Sequence, residues 1–333
     1  MSILIQKQEF WEAKIAPVIP KKLTKLFTFG YETLVGVEIT SMRANARLAP
    51  LAWSTAKSKI WRLATNVRIV SVFTRLLTAL ALVTDDDVVA IDFSDFKDGR
   101  QVLMFAKQTR KGRALPLYFE ILEYPIEKDS QNLFVNAAIA RFISIVGCRP
   151  CFVFDRGFAC PSIIKYMAQQ GLCFLIRIKK RKRFHQGQQY AAAEDLGVND
   201  IRIEGYARSL RLVVSDDPKN GNDPWYLITN DLAASREEII KRYYHRFEIE
   251  EFFRDAKRLL GLEYVRFHSA QSCAVALWFV MLTMWLFEQI AEGFTEADDA
   301  LRARWRVSRC RYIIEKLRRE SLWALVAAAG PPI

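Results

Sequence analysis

Two short apolar runs that each stop on an aspartate do most to limit the fold: Val88-Val89-Ala90-Ile91-Asp92 and Cys151-Phe152-Val153-Phe154-Asp155. Runs this short, rich in β-branched and aromatic side chains, suit buried strands. A carboxylate directly after such a run is costly to bury alone. Each aspartate is therefore expected at a strand tip, on the sheet edge where α/β proteins commonly place their sites. Residues 102–105 and 117–122 read as two more strands, joined by the turn Arg110-Lys111-Gly112-Arg113. Residues 132–145 have helical spacing, 161–170 form a helix with Pro161 near its start and Gly171 past its end, and 172–178 read as a strand. Three adjacent strands, then helix, strand, helix and strand, predict an α/β domain whose sheet begins as a meander.

Apolar residues make up 51% of the 333 and charged residues 26%, which excludes a disordered or fibrous chain and suffices for two or three compact units. Lys plus Arg number 49 against 37 Asp plus Glu, a formal charge of +12. That surplus points to a polyanionic partner, nucleic acid ahead of an acidic membrane surface. The start, Met1-Ser2-Ile3-Leu4-Ile5-Gln6-Lys7, does not read as a secretion signal. The longest apolar run, 273–287, is interrupted only by Thr283 and falls short of the ~20 residues of a spanning helix, so a core helix is predicted. Six cysteines in a chain of this length do not form a disulfide scaffold. Cys148 and Cys151 have zinc-like spacing but no second pair, and Cys151 reads as a structural cysteine of its strand. The expectation is a soluble, basic protein of the cytoplasm, with no membrane association.

Residues 1–86 carry helix signals. Ser54 precedes a helical stretch over 55–63 as a candidate cap, and a second stretch covers 70–83 before Thr84-Asp85-Asp86-Asp87. This region is either a small bundle with solvated charges or a DNA-binding module in which Lys57, Lys59 and Arg62 face the duplex; the net charge favours the second. Residues 179–230 are polar and strand-like, broken at Gly187, Gly197, Gly205, Pro218 and Gly221, and read as a β-rich insertion. A strong helix is predicted from Ser235 to about residue 260, and the remainder to residue 329 is helical. The expected organisation is a helical region over 1–86, a core over 87–178 and 231–268, the insertion over 179–230, and a helical C-terminal region over 269–333.

Two acids at one sheet edge repel each other and become stable as a pair around a divalent cation; oxygen-only ligands favour Mg²⁺ or Mn²⁺ over zinc. The helix from Ser235 adds a third acid. At about 100° per residue, Tyr243, Arg246, Glu250 and Lys257 fall within an arc of about 60°. Ile249, Phe253 and Leu260 lie beside them, so a polar stripe borders an apolar face. A solvated Arg246–Glu250 ion pair is the plain alternative, contributing only ~0.3–0.5 kcal/mol.

These residues resemble the DDE transposases of bacterial insertion sequences, most closely the insertion-sequence-four group. The third acid of that group lies in a Tyr-x2-Arg-x3-Glu-x6-Lys signature, matched here by Tyr243, Arg246, Glu250 and Lys257. Its second acid lies in an Asp-x-Gly-Tyr/Phe context, matched by Asp155-Arg156-Gly157-Phe158. Its first follows an apolar strand, as in Ile91-Asp92-Phe93-Ser94; Asp95 lies nearby, but Asp92 directly follows the strand and matches the family position. The resemblance covers about residues 88–257, with the motifs in order.

The resemblance implies a ribonuclease-H-like catalytic core: a five-stranded mixed sheet with helices, acids on its first and fourth strands and on a late helix, and a β-rich insertion before that helix. It implies a metal-dependent DNA transposase in which Asp92, Asp155 and Glu250 are catalytic and hold two Mg²⁺ ions, with Mn²⁺ able to substitute. Tyr243, Arg246 and Lys257 would contact phosphates beside the scissile bond. Trp225, in Trp225-Tyr226-Leu227-Ile228-Thr229, matches a family Trp-x3-Thr whose tryptophan stacks on a flipped base in relatives; a buried aromatic of the inserted sheet is the equal alternative. The implied partners are double-stranded DNA, as transposon ends and target, and a second copy of the chain. Three basic groups offer sequence-independent DNA affinity or simply solvated faces: Arg177, Lys179, Lys180, Arg181, Lys182 and Arg183; the turn residues Lys107, Arg110, Lys111 and Arg113; and the basic stretch 302–319. A catalytically silent DNA-binding derivative and a nuclease that cuts without joining are the rival functions.

Overall fold

The structure is a computed structural model that describes residues 2–37, 41–47, 49–96, 99–123, 130–186, 188–196, 201–205, 208–215, 224–305 and 308–329. Gly187, Gly197, Pro218 and Gly221, read above as breaks in the insertion, lie outside the described residues. Five helices come first: α1 (Ile3–Phe10), α2 (Thr24–Leu34), α3 (Met42–Arg47), α4 (Trp53–Thr65) and α5 (Val67–Leu80). Ser54 does not cap α4. Extended Ala52 occupies the cap position, and Ser54 sits inside the first turn.

The apolar runs then become strands: β1 (Val88–Asp95), β2 (Arg100–Lys107) and β3 (Leu115–Glu123), followed by α6 (Ser130–Val146), β4 (Cys151–Phe154), α7 (Pro161–Gln169) and β5 (Phe174–Ile178). β1, β2 and β3 form an antiparallel meander. β4 lies parallel to β1 and β5 parallel to β4, reached by the helical crossovers α6 and α7. The order β3-β2-β1-β4-β5 with this polarity is a ribonuclease-H-like core. Five more strands follow: β6 (Arg183–Gln186), β7 (Gln189–Ala192), β8 (Ile201–Gly205), β9 (Arg208–Ser215) and β10 (Trp225–Thr229). The insertion does not fold apart. β10 pairs antiparallel with β5, β9 with β10 and β8 with β9, so the core sheet continues to ten strands in the order β3-β2-β1-β4-β5-β10-β9-β8-β6-β7.

Both faces of the central strands are covered, which is why β1 and β4 read as unbroken apolar runs rather than alternating ones. On one face the Phe142 ring of α6 lies 5.0 Å from Phe105 and 6.1 Å from Phe152. On the other, Val153, Leu175, Leu227 and Trp225 pack with Ile239 and Tyr243 of α8 (Arg236–Tyr244). Ser235 caps α8, its hydroxyl accepting the Glu238 backbone N–H at 3.1 Å, and Glu237 and Glu238 in the first turn suit the positive end of the helix dipole. The predicted single helix is interrupted. A 3₁₀ turn over His245–Phe247 separates α8 from α9 (Glu248–Arg258), which changes the angular phase between Tyr243 and Glu250 from that of one continuous helix.

Three helices complete the chain: α10 (Ala270–Glu292), α11 (Glu296–Trp305) and α12 (Arg309–Ala329). The chain divides into two compact units, residues 81–252 on the one hand and 1–80 with 253–333 on the other. Within the helical unit, α10 is long and apolar enough to cross a membrane, yet 78% of its most apolar window is buried. Its Trp278 stacks on Phe73 of α5 with centroids 5.2 Å apart. Gly30 of α2 is required by the same core, because a Cβ there would stand 2.5 Å from Phe279 Cζ and 2.9 Å from Leu63 Cδ2.

Candidate active site

Strand register sets the first two acids side by side. Ile91 pairs with Phe154 across the parallel β1–β4 ladder, so the next residue on each, Asp92 and Asp155, emerges at the same level of neighbouring strands about 4.8 Å apart. Asp92 is not the last residue of its strand, which runs on to Asp95. Asp95 is exposed and accepts a hydrogen bond from Gln101 Nε2 at 2.8 Å, whereas Asp92 is partly buried and faces α8 and α9. Behind the acids, Phe158 fixes the loop after β4. Its ring stacks on Phe93 at 5.4 Å and 4° and lies 5.5 Å from Phe154.

Arg246 organises the site. Its Nη1 donates to Asp92 Oδ2 at 3.1 Å and its Nη2 to Glu250 Oε1 at 2.7 Å. The guanidinium is 4% exposed and lies over the Phe247 ring at 4.5 Å. Tyr243, wholly buried, directs its hydroxyl to Asp155 Oδ1 at 3.4 Å. The three acids predicted from sequence thus bear on one pair of neighbouring side chains, Tyr243 and Arg246. The Arg246–Glu250 contact is more than a solvated helix pair, because the same guanidinium also holds Asp92. Tyr243 and Arg246 are internal here, holding carboxylates rather than facing outward. Lys257, further along α9, belongs to the helical unit.

The donor set is all oxygen and suits a hard divalent cation, but among the described residues no three acid, His or Cys side chains are gathered closely enough to form a metal site. The Arg246 guanidinium supplies the positive charge between Asp92 and Glu250. Burial pushes the Asp92 carboxyl up to about 6, against the opposing pull of Arg246 and the Phe93 backbone N–H, with the Asp155 and Glu250 charges adding to the rise. Burial likewise pushes the Tyr243 hydroxyl up to about 12.

A raised carboxyl pKa has a defined sign in stability. Between about pH 4 and pH 6 the folded chain keeps a proton on Asp92 that the unfolded chain has released. This contribution is complete below the unfolded value and is lost as pH rises through about 6. Asp92→Asn, which mimics the protonated acid, is expected to gain on the order of 2–3 kcal/mol over the metal-free parent between pH 4 and pH 7.5. Urea denaturation of both proteins in chelator at the two pH values checks this; parallel responses would assign the titration to other groups.

Glu248 is the residue that sequence reasoning missed. It is 5% exposed, and its carboxylate accepts the backbone N–H groups of Thr109 at 2.9 Å, Arg110 at 3.2 Å and Gly112 at 3.1 Å, with His245 Nδ1 at 3.1 Å. The β2–β3 turn forms a nest of N–H groups, an anion-binding concavity. Its left-handed Gly112, at φ 87°, needs no Cβ. The chain fills that nest with its own acid and so anchors the start of α9 to the sheet. The available signal was an extra glutamate two residues before Glu250 opposite a donor-rich turn. Glu248→Ala is expected to cost about 2 kcal/mol by leaving those donors unmatched, and Glu248→Gln less, since its amide oxygen still accepts. Equal urea midpoints for Glu248→Ala and the parent would show that the nest is hydrated without loss.

The remaining predicted residues are dispersed. Trp225 is wholly buried, 4.9 Å from Tyr243 and 6.0 Å from Phe247 by ring centroids, with no surface on which a base could stack. Arg177 on β5 is near enough to Tyr243 to act on it electrostatically. Lys182 donates to the Ala159 carbonyl at 2.5 Å, tying the start of the insertion to the loop after Asp155. Lys180 and Arg181 lie 3.5 and 4.0 Å from Glu194, Arg183 donates to the Tyr190 carbonyl at 2.6 Å, and Lys179 is exposed. In the helical unit, Lys57 is exposed, Lys59 lies 5.2 Å from the Phe29 ring and Arg62 donates to Ser58 at 3.0 Å. A disulfide joins Cys151 to Cys173, bridging β4 and the approach to β5; the sequence reading anticipated a structural role for Cys151 but no bond.

The sequence profile of the transposase DDE domain family matches residues 135–286, a little under half of the chain. That span includes Asp155, Tyr243, Arg246 and Glu250, and Asp92 precedes it. Among solved structures the chain is similar to the piggyBac transposase in a cryo-EM synaptic complex with hairpin DNA, at 10% identity and a TM-score of 0.46, over 95% of this chain and 79% of that one. No curated protein matches in sequence.

Proposed function

We propose that this chain is a DNA transposase of the insertion-sequence-four group, cutting at the ends of its element and joining them to target DNA. The observation that carries the reading is the meeting of Asp92 and Glu250 on Arg246, next to Asp155, across the tips of a ribonuclease-H-like sheet. The profile match to the transposase DDE domain supports it independently. In this reading Asp92, Asp155 and Glu250 hold two Mg²⁺ ions, with Mn²⁺ as a substitute. The chemistry supplied by ions held there is activation of water or of a DNA 3′-hydroxyl and neutralisation of the leaving 3′ oxygen during in-line displacement.

The chain's own groups prepare that chemistry. Arg246 donates to both Asp92 and Glu250 and so holds the two carboxylates on one guanidinium, and Tyr243 orients Asp155. Glu248 fixes the axis of α9. The basic residues Arg177, Lys179 and Lys180 supply phosphate affinity that does not depend on sequence. The helical region over residues 1–86 binds the element's ends, and two copies hold two ends together on DNA in the bacterial cytoplasm. Incubating the purified chain with Mg²⁺ and a labelled duplex made from the DNA flanking its gene tests the reading. Joined products support it. Cuts without joining would favour a nuclease, and binding alone a silent derivative.

A further inference from the structure

A cavity of about 760 Å³ opens within the helical unit, between α4 and the chain from Tyr264 to His268. One face of α4 supplies Ser54, Lys57, Ser58 and Trp61, opposite the Ala56 and Leu63 side chains that enter the core. Trp61 is 66% exposed and Tyr264 62%, among the most exposed large apolar residues described. Around them the lining carries Arg43, Lys57, Arg266 and His268 with several serine hydroxyls, and among the described residues no carboxylate lines it. Exposed aromatic faces are costly to leave in water unless something covers them, and four basic side chains without an acid select an anionic occupant.

We propose that this cavity receives an unstacked nucleotide of a DNA strand. Trp61 and Tyr264 would offer faces to the base, and Arg43, Lys57, Arg266 and His268 would contact the phosphates on either side. The volume falls in the range of about 300–1,000 Å³ typical of ligand pockets. It is concave, so a base inside a duplex cannot enter without leaving its stack. Stacking on aromatics beside a cationic track is the general chemistry of single-strand recognition. The other cations expected on α4 do not share this role: Lys59 lies against Phe29 and Arg62 bonds Ser58. The inference rests on the reading that the partner is DNA, but not on the catalytic acids.

The test is therefore made in chelator, where cleavage plays no part. Fluorescence anisotropy compares binding of a fluorescein-labelled ten-nucleotide oligothymidine with binding of a labelled blunt duplex. Replacing Trp61 and Tyr264 together by Ala is expected to weaken oligothymidine binding by about thirty-fold or more and duplex binding by no more than about three-fold. Trp61→Phe with Tyr264→Phe, which keeps both rings, should retain most of the affinity that the double Ala variant loses. Arg43→Gln with Lys57→Gln should flatten the salt dependence of oligothymidine binding. Equal losses for the two probes, no loss for either, or failure of the parent chain to bind oligothymidine would each overturn the proposal. So would competition by thymidine monophosphate as effective as that by the strand, which would make a free nucleotide the occupant. Failure of the transposase reading is seen separately, in the cleavage and joining assay.

Discussion

Glu250→Gln is expected to lower DNA cleavage by about a thousand-fold or more while leaving end binding and folding close to those of the parent. The contrast follows from where Glu250 sits. Its side chain is 52% exposed, and its one described hydrogen bond accepts from Arg246 at 2.7 Å. An amide oxygen still accepts that bond, so the stability cost stays within about 1 kcal/mol. The amide cannot supply the negative charge that a divalent cation requires. Arg246 would keep its hold on Asp92 at 3.1 Å, so the rest of the site persists. Cleavage rates in Mg²⁺, end binding by mobility shift and urea midpoints check the three parts separately. Near-parental cleavage by this variant would remove Glu250 from the reaction.

Trp225→Ala is expected to destabilise the chain by about 3–5 kcal/mol, the range for emptying a buried aromatic site. Trp225 fills the space between β10 and α8, in edge contact with Tyr243, the residue that orients Asp155. Its indole N–H is buried and has no hydrogen-bond partner among the described residues. Trp225→Phe removes that unmet donor along with some volume, so its cost should be clearly smaller. The pair of variants separates two roles for this tryptophan. A core residue gives a large loss of stability with Ala and partial recovery with Phe, and DNA affinity changes only as folding changes. A base-stacking residue gives weakened end binding with an unchanged urea midpoint.

The strands of the core were legible because they are covered on both faces; Val88 to Ile91 and Cys151 to Phe154 had no other plausible fate. The two aspartates were legible for the same reason, since a charge ending such a run must find an edge. Less accessible were features that depend on partners remote in sequence. Nothing local in residues 225–229 says that they pair with β5 and so extend the core sheet. The 3₁₀ turn at His245–Phe247 is set by packing of Tyr243 and Phe247 around Trp225, and no capping residue or glycine announces it. Glu248 resembled any surface glutamate until the turn over Thr109 to Gly112 came into place beneath it. Trp225 met its motif in spacing, yet burial decided its surroundings.

The counter-charge for Asp92 comes from a residue 154 positions further along the chain. A growing polypeptide that has completed β1 and β4 therefore holds two neighbouring carboxylates before the Arg246 guanidinium that meets Asp92 in the folded chain has been made. Burial alone favours the protonated acid, so that sheet edge has reason to stay wet until Arg246 arrives. Arg246 in the 3₁₀ turn and Glu250 in the α9 helix that follows are only four residues apart, and one docking event brings both the guanidinium and the last acid. The guanidinium and the third acid thus reach the sheet edge in the same step.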